Sequence, residues 1–289
     1  MTIYKSMAAR LGFVIIALLV LGLMYTFRSQ IKSTIKNLIP SGPVVVLKEP
    51  PVEDGVKILF LHHSTGLRVW DAGVPDLFEQ VRETGKKYFI VEQKFPKIAM
   101  NYPYDYWNIW VNNQGTVPYM DDPTLEMITA KYDVVVWKHC FPVSSVKEDI
   151  GSPSPESPEM RMENYVLQYQ ALKKKMYEFP NKKFIVWTGA VRVKESTNEE
   201  DARRGRMFFE WVKNEWDESG DNIFIWDFYE LETEGGIYMK EEYASGYQDS
   251  HPNKKFAQAA AKLFVQRTID VIEGRGDSSP ITGDHQFSN

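Results

Sequence analysis

"KILFLHHSTGLRVW", Lys57 to Trp70, decides how this chain is read. Its first half is an apolar run with the composition of a buried strand. That run ends abruptly in two histidines, a serine, a threonine and a glycine, residues that carry protons, donate hydrogen bonds or bend the backbone. Four further runs share the same buried-strand character: Tyr88 to Glu92, Asp133 to Trp137, Lys183 to Thr188 and Ile223 to Phe228. Helical spacing of apolar residues marks Val74 to Glu83, Pro123 to Lys131, Met160 to Glu178, Asn198 to Asp217 and Lys254 to Ile272. Strand and helix alternate. Parallel strands need crossover connections, and right-handed crossovers place helices on both faces of a sheet. The expected fold is therefore α/β, a three-layer sandwich around a five-stranded parallel sheet.

The outer segments read differently. Leu11 to Phe27, "LGFVIIALLVLGLMYTF", carries no charge and lies between Lys5 and Arg10 on one side and Arg28, Lys32 and Lys36 on the other. It has the character of a single transmembrane helix, so residues 1–28 are expected to form a membrane anchor rather than a cleaved signal peptide. Residues 29–54, with "IPSGPVVVLKEPPVEDG" at their end, read as a linker, residues 55–273 as the folded domain and residues 274–289 as a disordered polar tail. A net charge of -5 over 289 residues gives no basic face for nucleic acid. The single cysteine, Cys140, excludes an internal disulfide and a multi-cysteine metal site.

In an open α/β sheet, ligands bind beyond the carboxyl ends of the strands. The first strand delivers His62, His63, Ser64, Thr65 and Gly66 there, the third Lys138, His139 and Cys140, and the fourth Thr188, Gly189 and then Arg192. The loop after the fifth strand brings "YQDSHPN", with Asp249, Ser250 and His251. Each has an ordinary reading too. Ser64 suits a turn or a helix cap, His63 a bond to a loop carbonyl, Lys138 and His139 a pairing with surface carboxylates, and "DSHPN" the entry to a helix. What favours chemistry is that a serine and an Asp/His pair reach one edge from opposite ends of the domain. A serine hydroxyl attacks poorly until an imidazole takes its proton and a carboxylate fixes the imidazole tautomer.

On these residues, "ILFLHHSTG" and "DSHPN", the chain from about Val56 to Ile272 resembles the SGNH (GDSL-type) hydrolase superfamily, esterases and acyl hydrolases on a flavodoxin-like sheet. The resemblance implies Ser64 as nucleophile, His251 as base and Asp249 as its partner. It also implies an oxyanion hole, for which His63, Asn101, Lys138 and His139 are the candidate oxyanion or substrate-binding residues. The departures are specific. His62 and His63 stand where the family has Gly-Asp, Gln248 rather than an aspartate lies three residues before His251, and "WKHCFP" stands in place of Gly-x-Asn-Asp after the third strand.

Between the second and third strands, Phe95 to Met120 is long and rich in tyrosine and tryptophan, with Asn101, Asn108, Asn112, Asn113 and Gln114 among them. Such a loop either packs onto the domain or stacks on sugar rings. The expected function is a membrane-anchored serine ester hydrolase or acyltransferase acting on a small-molecule or glycan acyl ester. By the habit of the resembled family, its domain lies outside the cytoplasm. No cofactor is expected. The alternative is a non-catalytic glycan-binding module of the same fold. A zinc site of His62 or His63 with His139, Asp249 and His251 is disfavoured, because adjacent histidines on a strand end point to opposite sides.

Overall fold

The computed structural model describes residues 46–284. In chain order the elements are β1 (Val56–His62), α1 (Ser64–Asp71), α2 (Val74–Glu83), β2 (Tyr88–Lys94), α3 (Pro103–Trp107), α4 (Leu125–Thr129), β3 (Val134–Lys138), α5 (Met162–Tyr177), β4 (Lys183–Trp187), α6 (Glu199–Trp211), β5 (Ile223–Trp226), α7 (Phe228–Thr233), β6 (Ala244–Gly246), β7 (Asp249–Pro252) and α8 (Lys254–Ile272). β1 to β5 form one sheet, all parallel, in the order β2-β1-β3-β4-β5. The expected five-stranded parallel sheet is thus present, and its order is the flavodoxin-like one.

The two faces of the sheet follow from side-chain alternation along each strand. Ile58 and Phe60 of β1, with Val134, Val136, Ile185, Trp187 and Trp226, pack against Phe78 of α2 and Ala260, Ala261 and Phe264 of α8. Leu59 and Leu61, with Val135, Trp137, Val186 and Ile225, face the opposite layer, which holds Tyr106 of α3, Tyr169 of α5 and Phe208 of α6. Because both faces are covered, the strands read as continuous apolar runs rather than alternating ones. α1, which follows Ser64 directly, and the two-stranded antiparallel ribbon of β6 and β7 are not marked by apolar periodicity. α1 is too short, and β6 and β7 are three and four residues long.

The segments at either end of the domain differ from expectation. Leu47 is buried, the Lys48 amide donates to Gln93 Oε1 at 2.8 Å, and the Tyr132 hydroxyl donates to the Lys48 carbonyl at 2.8 Å. The packed unit therefore reaches upstream of Gly55 into the expected linker, whose valine and leucine seat it on β2. Residues 274–284 are likewise not a loose tail. The buried Arg267 guanidinium donates to the Gly276 carbonyl at 2.6 Å and to Ser279 Oγ at 2.8 Å, and Trp226 Nε1 donates to the Thr282 carbonyl at 3.0 Å. A buried arginine needs acceptors, and this polar segment supplies them. The expected membrane anchor lies outside the described residues; among the described residues no helix is long and apolar enough to cross a membrane.

Candidate active site

Ser64 sits at the junction of β1 and α1, between the carboxyl ends of β1 and β3, where the strand order reverses. This is the switch point at which open α/β sheets hold ligands. The turn is tight because α1 starts on the residue after its N-cap, His63, whose backbone is extended (φ -116, ψ -157). Gly66 permits the close approach: a Cβ there would stand 2.4 Å from His62 Cβ, so the first turn of α1 can lie on β1 only without a side chain at this position. Ser64 is then the first residue of the helix, and its amide has no intrahelical acceptor.

His251 reaches Ser64 from the far end of the domain. Its Nε2 lies 2.8 Å from Ser64 Oγ, and its Nδ1 lies 2.6 Å from Asp249 Oδ1. The two-residue spacing is explained by β7. Residues i and i+2 of a strand project to the same side, so Asp249 and His251 face one way on a ribbon where a turn or helix would need a different interval. Asp249 Oδ1 also accepts from the His251 amide at 3.1 Å, and the bond from His251 is the main cause that holds the Asp249 carboxyl below its usual range. "DSHPN" is not the helix cap that its residues suggest. Asn253 caps α8, accepting from the Phe256 amide at 3.0 Å, while Ser250 is buried and accepts from the Val193 amide at 3.0 Å.

The other candidate residues separate from this trio. His63 Nε2 lies 2.6 Å from the Pro96 carbonyl, and burial pushes its pKa down to about 4, so at neutral pH the ring is uncharged and donates to that carbonyl. Asn101 is fully buried with φ 67; its Nδ2 donates to the Phe95 carbonyl at 2.9 Å and its amide to Asp105 Oδ2 at 2.7 Å. Lys138 is fully buried and donates to the His139 carbonyl at 2.5 Å. His139 is fully buried among Tyr106, Trp137 and Tyr169, and burial holds its pKa well below the ordinary histidine value. Neither Lys138 nor His139 pairs with a surface carboxylate, and none of Asn101, Lys138 and His139 offers a side-chain donor to the serine. Burial, which sequence position does not report, is the reason.

The groups that do surround the serine include several that sequence position passed over. Cys140 Sγ is 3.9 Å from Ser64 Oγ, and the Phe141 ring stands edge-on to the His251 imidazole at 5.2 Å. A cleft of about 500 Å³ opens beside Ser64, lined by His62, His63, Leu67, Glu92 and Lys94. His62 is buried at its rim with Nε2 3.3 Å from Glu92 Oε2, and that contact is the largest cause that brings the Glu92 carboxyl down to about 2.

Of the two readings of the aromatic loop, packing onto the domain accounts for most of its large rings. Tyr102, Tyr106, Trp107 and Trp110 are buried, with Tyr106 and Trp110 packed on Trp137. Its amides are also used internally: Asn112 and Asn113 donate to Asn108, and Gln114 accepts from Lys175 Nζ. Among the described residues no group of three or more histidine, cysteine or acidic side chains is arranged to hold a metal ion.

The chain matches no family model and no curated protein. Among solved structures it is similar to one described as BT4096, a gut microbial diltiazem-metabolizing enzyme, with 12% sequence identity and a TM-score of 0.45. The likeness covers 80% of this chain and 49% of that one, so this chain spans about half of that enzyme's length. A likeness this shallow bears on neither activity nor substrate.

Proposed function

We propose that this protein is a serine ester hydrolase or acyltransferase of SGNH type. One observation carries the reading: Ser64 Oγ is 2.8 Å from His251 Nε2 while His251 Nδ1 is 2.6 Å from Asp249. Asp249 fixes the tautomer with the proton on Nδ1, leaving the Nε2 lone pair to accept the serine proton. Ser64 Oγ then bonds to the acyl carbon. The resulting oxyanion lies beside the free Ser64 amide at the start of α1, where the helix N-terminus favours negative charge. Collapse breaks the bond to the alcohol, and His251 returns its proton to the leaving oxygen. Water, or a second alcohol, repeats the sequence on the acyl-serine and regenerates Ser64.

The apolar stretch at residues 11–27 supports a single membrane span carrying this domain, with the domain outside the cytoplasm as the resembled family would have it. The rival reading, a glycan-binding module, relied on an aromatic loop whose large rings are mostly buried. The test is direct. Ser64→Ala is expected to abolish both hydrolysis of p-nitrophenyl acetate and labelling by a fluorophosphonate, with an unchanged far-ultraviolet circular dichroism spectrum. Full turnover or labelling in that variant would rule the mechanism out.

A further inference from the structure

Arg192 has no part in the steps above, yet it lies against the site. It leaves the end of β4 through Thr188 to Val191 and rests half-buried, its guanidinium carbon 5.2 Å above the ring of Phe141. Phe141 is the ring that meets the His251 imidazole at 5.2 Å, and its neighbour Cys140 puts Sγ 3.9 Å from Ser64 Oγ. Arg192 is thus no further from the imidazole than two steps through one aromatic ring. Its backbone is held on both sides. The Arg192 carbonyl accepts from the Met239 amide at 3.0 Å, and the next residue, Val193, donates to Ser250 Oγ between Asp249 and His251.

Apart from the Phe141 ring, the guanidinium has no partner among the described residues. Among the described residues no hydrogen bond or ion pair takes it up, and its Nε is buried without an acceptor. The fully buried cations of the described residues behave differently: Arg267 and Lys138 donate to carbonyls, and Lys175 meets Glu126. Leaving the buried Nε donor unpaired is unfavourable, and burial lowers the Arg192 pKa, opposed only by Cys140. A planar fork of donors matches a carboxylate or a phosphate in two parallel hydrogen bonds.

We propose that Arg192 is a specificity-determining residue that receives a carboxylate or phosphate on the alcohol part of the substrate, so that the enzyme acts on acyl esters of acidic molecules. The inference rests on the hydrolase reading. The alcohol side follows from that mechanism, because His251 must protonate the leaving oxygen, which therefore departs past the imidazole and Phe141 toward Arg192.

The test uses the full chain and three acetyl esters: 4-acetoxybenzoate, its neutral methyl ester, and 4-acetoxyphenyl phosphate. The wild type is expected to favour at least one anionic ester over the methyl ester by about 10–100-fold in kcat/KM, the size of a charge-assisted contact. Which anion gains more distinguishes carboxylate from phosphate. Arg192→Ala should erase the preference while leaving the methyl ester within about threefold, and Arg192→Lys should restore part of it by charge without the fork. Equal losses on charged and neutral esters, or no preference in the wild type, would overturn the proposal. Fluorophosphonate labelling separates the two ideas: labelling and neutral turnover without anionic preference reject the role of Arg192 alone, whereas absence of both rejects the hydrolase reading and this inference with it.

Discussion

Asp249 differs from the orienting carboxylate of a buried triad in one respect: about half of its side chain is exposed. Water screens its charge, so its main contribution is the geometry of the 2.6 Å bond to His251 Nδ1. Asp249→Asn keeps the shape but offers an amide that can hold the wrong tautomer. It is expected to lower kcat for p-nitrophenyl acetate by about 10²-fold, less than the roughly 10⁴ of a buried orienting aspartate. A kcat equal to wild type would remove Asp249 from the mechanism. His63 shows the converse. It is a histidine next to Ser64, yet its ring is committed to the Pro96 carbonyl, so it supports the turn and carries no charge at neutral pH.

The ribbon of β6 and β7 is the element on which the site depends most. It is short, pairs Gly246 with Asp249 and Ala244 with Pro252, and hands His251 to Ser64 across the sheet edge. Asn253 ties it down from two directions: its Oδ1 caps α8 through the Phe256 amide, and its Nδ2 donates to the Glu242 carbonyl at 2.7 Å just ahead of β6. Asn253→Ala should cost about 1 kcal/mol. In a domain of this size that lowers Tm by about 2–4 °C. Because the lost bonds hold the ribbon, kcat should also fall while KM changes little. A Tm drop with wild-type kcat would show that the ribbon holds its place without this residue.

Across the whole molecule, two groups withdrawn from water near the site, Glu232 and His63, set opposing dependences on pH. Burial raises the Glu232 carboxyl to about 8, and its Oε2 accepts from the Val191 amide at 2.9 Å. The folded state keeps this proton between the ordinary carboxylate value of 4.5 and about 8, where the unfolded chain has lost it. This group's contribution to stability is therefore full below pH 4.5 and declines as pH rises toward 8. His63, lowered from 6.5 to about 4, acts in the other direction, and its contribution is lost as pH falls through that interval. Glu232→Gln retains an acceptor for Val191 but has no proton to lose. Its Tm relative to wild type should rise steadily from pH 5 to pH 8, followed by scanning calorimetry; a constant difference would mean that Glu232 is ionised in the folded protein.

The sheet and its covering helices are legible in the order and spacing of the apolar residues. The apolar runs from Val56 and Tyr88 are long enough to show period and burial, and α2 and α8 stand at the bounds that their spacing predicts. The same order also gives reason to expect Ser64, Asp249 and His251 near one edge, because the carboxyl ends of parallel strands all lie on the same side and "YQDSHPN" comes in the segment after the last of them. Which other polar residues join them is a matter of packing between distant segments. Lys138 ends β3 and His139 follows it, much as Ser64 follows β1, yet both are fully buried while Ser64 stays open, because aromatic rings of α3 and α5 close over His139 and the hydrophobic sheet face takes in Lys138. The two-residue spacing of Asp249 and His251 serves the site because β7 is a strand. Whether a side chain ends in water, in the core or against a reacting group depends on contacts between segments far apart in the chain, and local composition carries no record of them.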